Sequence, residues 1–219
     1  MKHDIVFFED THEYIVDGQD NVPSVTTILK PLTDRGYANI NPSVLETARL
    51  RGSAVHEALE NLDYDIDPEI MPEIIPYIQA YEEWKSVYRP TWTGIEQIVF
   101  SGLHGFIGTL DRVGLLNGKE LSIVDLKTSN PSKEALCAVC IQTAAYELAY
   151  IETPEGNKMR SEYGINIHRY GLFLKSDGSY RFLDCEEYEK KYKFSGFKVF
   201  YGLLKTNRMI TEILERKGK

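Results

Sequence analysis

The chain is short of cysteine, short of basic residues over most of its length, and without a long apolar run. Only Cys137, Cys140 and Cys185 occur among 219 residues. They form no disulfide framework, which fits a reducing compartment. No stretch approaches the ~20 apolar residues of a membrane span. The first ten residues turn acidic too soon for a secretory leader. No linker rich in Pro, Gly or Ser, no repeat and no low-complexity tract divides the chain. We therefore expect a soluble, cytoplasmic protein of one domain, residues 1–219. Its hydrophobic fraction of 42% and charged fraction of 26% suffice for one sizeable core.

Basic residues are scarce in a particular place. Residues 1–157 hold 11 Lys and Arg against 25 Asp and Glu, whereas residues 158–219 hold 14 against 8. The net charge of −8 argues against broad, nonspecific binding to a polyanion. The asymmetry favours an anionic partner at the last quarter, where Lys190, Lys191, Lys193, Lys198, Lys205 and Arg208 lie. For any single lysine there, a solvated helix face is the simpler reading.

Patterning gives a mixed α/β sheet with helices packed on it. Residues 4–9 and 12–16 read as a small hairpin, and 23–29 as a short helix capped by Ser24. Helices follow over 43–62, capped by Ser43 with Glu46 at the capping-box position, and over 72–88, with an acidic loop between them. Strands are expected over 94–100, 105–115 and 120–127, then a helix over 133–152. A second hairpin spans 165–175 and 179–183. Residues 186–216 are mainly helix, interrupted near Gly196 or Gly202. The chain thus has an N-terminal helical elaboration, about 23–90, and a basic C-terminal helical segment, about 186–217.

The chemistry centres on Asp111 and on Asp125-Leu126-Lys127. Side chains at i and i+2 share a strand face, so Asp125 and Lys127 emerge together from the apolar run Ile123-Val124-Asp125-Leu126. A carboxylate there must be paired or bound to metal. Lys127 as a mere salt-bridge partner accounts for Asp125 but not for Asp111, which read alone is equally well a strand-end residue. A strict two-residue turn at Asn117-Gly118 would send the two aspartates to opposite faces. A shared site requires an odd loop, most simply a type I turn closed by Gly118 as a G1 bulge, with Gly118 at positive φ. His56 sits one helical turn after Gly52, where a backbone or ligand can approach. Gln142 and Tyr146 are an i, i+4 pair on the following helix, and Glu96 is the weakest candidate, on the preceding strand. Cys137 and Cys140 lie in a helix with one further cysteine, so buried thiols are expected.

Gly52-Ser53-Ala54-Val55-His56, Gly108-Thr109-Leu110-Asp111, Asp125-Leu126-Lys127-Thr128 and Gln142-Thr143-Ala144-Ala145-Tyr146, in that order, resemble the PD-(D/E)XK nuclease superfamily in its RecB/Cas4-like exonuclease branch. Pro23-Ser24-Val25-Thr26-Thr27-Ile28-Leu29 also looks like the start of small phage and mitochondrial exonucleases of that branch. The resemblance implies a restriction-endonuclease-like core, a central mixed sheet flanked by helices. It implies Mg²⁺- or Mn²⁺-dependent hydrolysis of DNA phosphodiesters, at single strands or duplex ends, in phage or mobile-element recombination or replication. The location would then be the host cytoplasm. His56, Asp111 and Asp125 become metal ligands, with the Leu126 carbonyl and Glu96 as further ones. Lys127 orients or activates water, and Gln142 and Tyr146 position Lys127 or the substrate backbone. With three cysteines, no iron–sulfur cluster is expected. Arg49, Arg51, Arg169, Lys175 and Arg181 are candidate phosphate contacts. The competing readings are a structure-specific or restriction-type endonuclease, a catalytically silent DNA-binding protein, and an RNA-processing nuclease.

Overall fold

The computed structural model describes residues 3–8, 13–18, 22–37, 40–68, 70–164 and 166–217. Residues 9 and 12 of the expected N-terminal hairpin strands, the two residues between them and the first residue of the expected 165–175 strand lie outside them. Strands β1 (Ile5–Phe8) and β2 (Glu13–Val16) form an antiparallel ribbon, and Tyr14 and Val16 bury against Ile107. Helix α1 (Val25–Tyr37) is longer than expected. Val25, Ile28 and Leu29 give it a buried stripe, and Ser24 accepts the Thr27 N–H at 3.1 Å.

Helix α2 (Pro42–Asp63) is capped by Asn41, not Ser43. Asn41 accepts the Ser43 N–H, and Pro42 has no N–H needing a partner at the first helical position. Glu46 accordingly makes no capping box and pairs with Arg49 at 2.7 Å. A 3₁₀ turn, Pro72–Ile74, leads into α3 (Ile75–Tyr88).

Five strands follow, β3 (Thr91–Ser101), β4 (Phe106–Leu116), β5 (Glu120–Lys127), β6 (His168–Leu174) and β7 (Tyr180–Asp184), lying side by side in chain order. Only β5 and β6 are parallel, because α4 (Lys133–Tyr150) and α5 (Pro154–Tyr163) cross over between them. The result is a mixed sheet flanked by helices, as expected. Helices α1, α4 and α7 (Gly196–Lys217) cover one face, and α2 and α3 the other. Helix α6 (Cys185–Tyr192) packs with β6, β7 and α4. The break before α7 falls at Lys193, left-handed at φ 55°. Gly196 opens α7 because a Cβ there would meet the Cys140 carbonyl oxygen at 2.7 Å. Among the described residues no helix is long and apolar enough to cross a membrane.

The β4–β5 turn decides the site. Its ladder runs from Leu116–Glu120 to Arg112–Val124, so three residues lie between Leu116 and Glu120. Continued by one residue, that register sets Asp111 opposite Asp125. The expected odd count therefore holds, and Gly118 is at φ 71°. The turn type differs from expectation: Asn117 is left-handed too, at φ 51°, and Lys119 is the extra residue, its N–H reaching the Leu116 carbonyl at 3.2 Å. Two left-handed residues match the twist of the strands better than a type I turn would.

Candidate active site

The ladder stops where the aspartates begin. Asp111, 7% exposed, turns one carboxylate oxygen into the gap between the strands and accepts the Leu126 N–H at 2.6 Å. It thereby replaces a ladder bond with a charge-assisted one. Opposite, on β3, Ile95 pairs with Arg112 and Gln97 with Leu110, which leaves Glu96 facing Asp111. Glu96 is left-handed at φ 44°, a strained state for a non-glycine residue in a strand. Its Oε1 lies 3.1 Å from Arg112 and 3.3 Å from His56 Nδ1 on α2. Ligand atoms of His56, Glu96 and Asp111 all lie within 4.8 Å of one another, a group able to hold a metal ion.

Asp125 stands beside this trio rather than within it. Val124 and Leu126 pack toward α2 and α3, so Asp125 and Lys127 face α4. Asp125 is fully buried, and Lys127 Nζ lies 2.6 Å from its Oδ2. Apart from that ammonium, neither oxygen of Asp125 has a hydrogen-bond partner. Burial pushes its pKa up to about 7 against the pull of Lys127, and the Asp111 charge adds to the rise. Glu96, the weakest ligand candidate in the sequence, groups with His56 and Asp111, its left-handed backbone placing it beside the imidazole, and Asp125 lies next to that group. For His56, burial opposes protonation, but the charges of Asp111 and Glu96 outweigh it and hold the imidazole pKa above its ordinary value.

Tyr146 closes the α4 side. It is buried, its hydroxyl accepts from Gln142 Nε2 at 2.9 Å, and burial with the Asp125 and Asp111 charges holds its pKa well above the usual value. Gly108 makes this possible, since a Cβ there would lie 2.8 Å from the Tyr146 ring. Gln142 is therefore engaged with Tyr146. Gly52, in contrast, would bring a Cβ only into ordinary contact, 3.5 Å from Thr128 Oγ1.

The candidate phosphate contacts separate. Arg51 and Lys175 line one pocket beside Thr128. Arg49 is exposed on Glu46, and Arg181 lines a different groove with Lys190 and Lys191. Arg169 is corrected outright: it is 3% exposed, paired with Glu147 at 3.1 Å and Glu189 at 2.8 Å, and cannot reach a strand of nucleic acid. Missed by the sequence reading were Arg112 and Asp63. Arg112, wholly buried, joins Glu96 to Asp63, which also takes the Tyr81 hydroxyl at 2.6 Å and Lys85 at 2.9 Å. The available signal was Arg112 itself, a guanidinium in a buried strand, which must be paired.

The donor set suits a divalent cation: one imidazole, two carboxylates beside it and a third, undersatisfied carboxylate next door. No curated protein matches the chain. A family model described as the PD-(D/E)XK nuclease superfamily matches residues 69–194, more than half the chain, beginning after His56 and containing Glu96, Asp111, Asp125, Lys127, Gln142 and Tyr146. That family is one of metal-dependent nucleases, so a nucleic acid is the substrate class and a divalent metal the cofactor class. The sheet, the paired strands bearing Asp111 and Asp125-Leu126-Lys127, and this match agree: the chain belongs to the PD-(D/E)XK nuclease superfamily.

Proposed function

We propose that the chain is a Mg²⁺- or Mn²⁺-dependent DNA exonuclease of the RecB/Cas4-like branch, one nuclease domain acting on ends or single strands in phage or mobile-element recombination or replication. The convergence of His56, Glu96 and Asp111 next to the Asp125–Lys127 pair carries this reading. His56, Asp111, Asp125, Glu96 and the Leu126 carbonyl would hold the cation. Divalent-metal chemistry at such a site supplies water activation and charge neutralisation.

The remaining roles belong to this chain's own groups. Lys127, one-third exposed, has its ammonium held against fully buried Asp125 and would offset charge developing on the phosphate. The Leu126 N–H fixes one oxygen of Asp111 and leaves the other to the site. Arg112 fixes Glu96. Tyr146 and Gln142 wall off the α4 side and exclude water there.

Asp111→Asn and Lys127→Ala should each lower cleavage of end-labelled DNA by at least ~10³-fold with Mg²⁺ or Mn²⁺, while melting stays near that of the parent. Full activity in either variant overturns the assignment. An exonuclease leaves a covalently closed circle intact; cutting it points to an endonuclease of the same fold.

A further inference from the structure

A cavity of ≈ 220 Å³ opens just past the end of β5. Arg51 of α2, Thr128, Ser129 and Asn130 after β5, and Lys175 at the β6–β7 turn line it, with no carboxylate among its lining residues. Arg51 Nε is buried without a hydrogen-bond partner, and its guanidinium lies 5.6 Å over the Tyr77 ring. Lys175 Nζ rests on a neutral partner, Ser179 Oγ, at 3.0 Å. Asp177 Oδ1 accepts the Ser179 hydroxyl and N–H, and the Lys175 charge also acts on this carboxylate, which lies outside the pocket lining. Two cations, hydroxyls and an amide, with no carboxylate between them, form a receptor for a phosphate group.

We propose that this pocket seats a terminal phosphomonoester of the nucleic-acid strand being cut. Its two cations match a group carrying about −1.5 to −2 charges, whereas an internal phosphodiester carries one. The pocket also lies at the right remove. Arg51, which lines the pocket, lies on α2 five residues before His56, roughly 7–8 Å along the helix, so the pocket sits beside the cation site on the same element. The pocket thereby gives the proposed exonuclease a way to recognise an end. The identity of the bearer rests on the nuclease reading; the binding of the anion does not.

The test uses the full chain in EDTA and measures fluorescence anisotropy of a single-stranded oligonucleotide. The oligonucleotide carries a 5′-phosphate, a 3′-phosphate or hydroxyls at both ends, and a circularised form completes the set. One phosphorylated end should bind at least ~10-fold tighter than the hydroxyl form, with inorganic phosphate competing. R51Q and K175Q, on separate elements and checked by melting, should each bring that ratio close to one. Equal binding of phosphorylated and hydroxyl ends overturns the proposal. So does a circle bound as tightly as the phosphorylated end, which would make the pocket a site for internal phosphodiesters. End discrimination without metal-dependent cleavage would sink the nuclease reading and leave the pocket standing. Cleavage without discrimination would sink the pocket alone.

Discussion

Two clusters of charge are buried against α4, and they are built to opposite ends. In one, Arg169 of β6 is enclosed by Glu147 of α4, Glu189 of α6, the Cys140 carbonyl and the Phe197 ring. In the other, His56, Glu96 and Asp111 gather beside Asp125 and Lys127. Each holds a carboxylate pushed up to about 7 chiefly by burial, Glu147 in the first and Asp125 in the second. The difference is closure. Arg169 is 3% exposed and fully surrounded, so its cluster has no room for a ligand. In the second cluster Asp125 meets only the Lys127 ammonium among the described residues, and that lysine is one-third exposed. A perturbed pKa therefore does not distinguish structure from site here; unfilled coordination does.

The largest effect should come from opening the closed cluster. Arg169→Met leaves buried Glu189 and half-buried Glu147 without their cation, which costs ~3–5 kcal/mol, or roughly 6–20 °C in melting temperature for a chain of this size. The triple variant R169M/E147M/E189M should recover most of that loss, since replacing a whole buried ion cluster by apolar groups is often neutral. A single variant that melts like the parent would show that the cluster contributes nothing, and the contrast between the two regions would fail.

Asp125→Asn tests the open cluster in the other direction. The folded-state pKa of Asp125 is raised above the ordinary carboxylate value of 3.8, to about 7. The folded protein thus holds a proton that the unfolded chain releases between those two values. Stability falls as pH rises through that window. In EDTA at pH 8, D125N should melt above the parent by the equivalent of ~1 kcal/mol or more, and the gain should vanish near pH 4. The same substitution should abolish cleavage. A D125N protein less stable than the parent at pH 8 would mean that the carboxylate is already satisfied.

Much of this arrangement is readable from the chain because alternation and turn chemistry are local. The apolar run around Asp125 and the i, i+2 placement of Lys127 put both side chains on one face. The demand for an odd loop at Asn117-Gly118 followed from requiring Asp111 on that face as well. What stayed hidden was either weakly patterned or long-range. Helix α5 buries little besides Gly156 and Met159, so it has no apolar stripe, although Thr153-Pro154 at its start and Gly164 at its end are boundary signals. The place of Glu96 depends on a left-handed residue inside a strand, and that of Asp63 on a partner 49 residues away. Arg169 looked like a free cation because nothing in its own strand shows the two glutamates that enclose it.

The His56 imidazole separates the regions again, since only the open cluster contains a group that must lose a proton before it can coordinate. Asp111 and Glu96 hold its pKa above the ordinary value. Apparent Mn²⁺ affinity, measured by calorimetry, should fall about tenfold per pH unit below that raised pKa. In His56→Gln that slope should lessen by the share of one proton, since Asp125, raised to about 7, must still release its own, and binding at pH 8 should weaken. An unchanged slope would place His56 outside the coordinating set.

The smallest effect is expected at Gly52, where stability and function should part. A glycine inside a helix costs roughly 0.5–1 kcal/mol relative to alanine. Gly108 has its reason in the protein, because a Cβ would strike the Tyr146 ring at 2.8 Å. Gly52 has none, as its Cβ would meet only Thr128 Oγ1 at an ordinary 3.5 Å. Gly52→Ala should therefore melt slightly above the parent, by ~1–4 °C, as should Gly202→Ala in α7, where nothing lies within 4 Å of the added carbon. Only G52A should weaken DNA binding, because its methyl group would lie against Thr128, which lines the pocket with Arg51. If G52A and G202A bind DNA equally well, the close approach at Gly52 is not made by a ligand, and the open cluster loses that part of its claim to be a site.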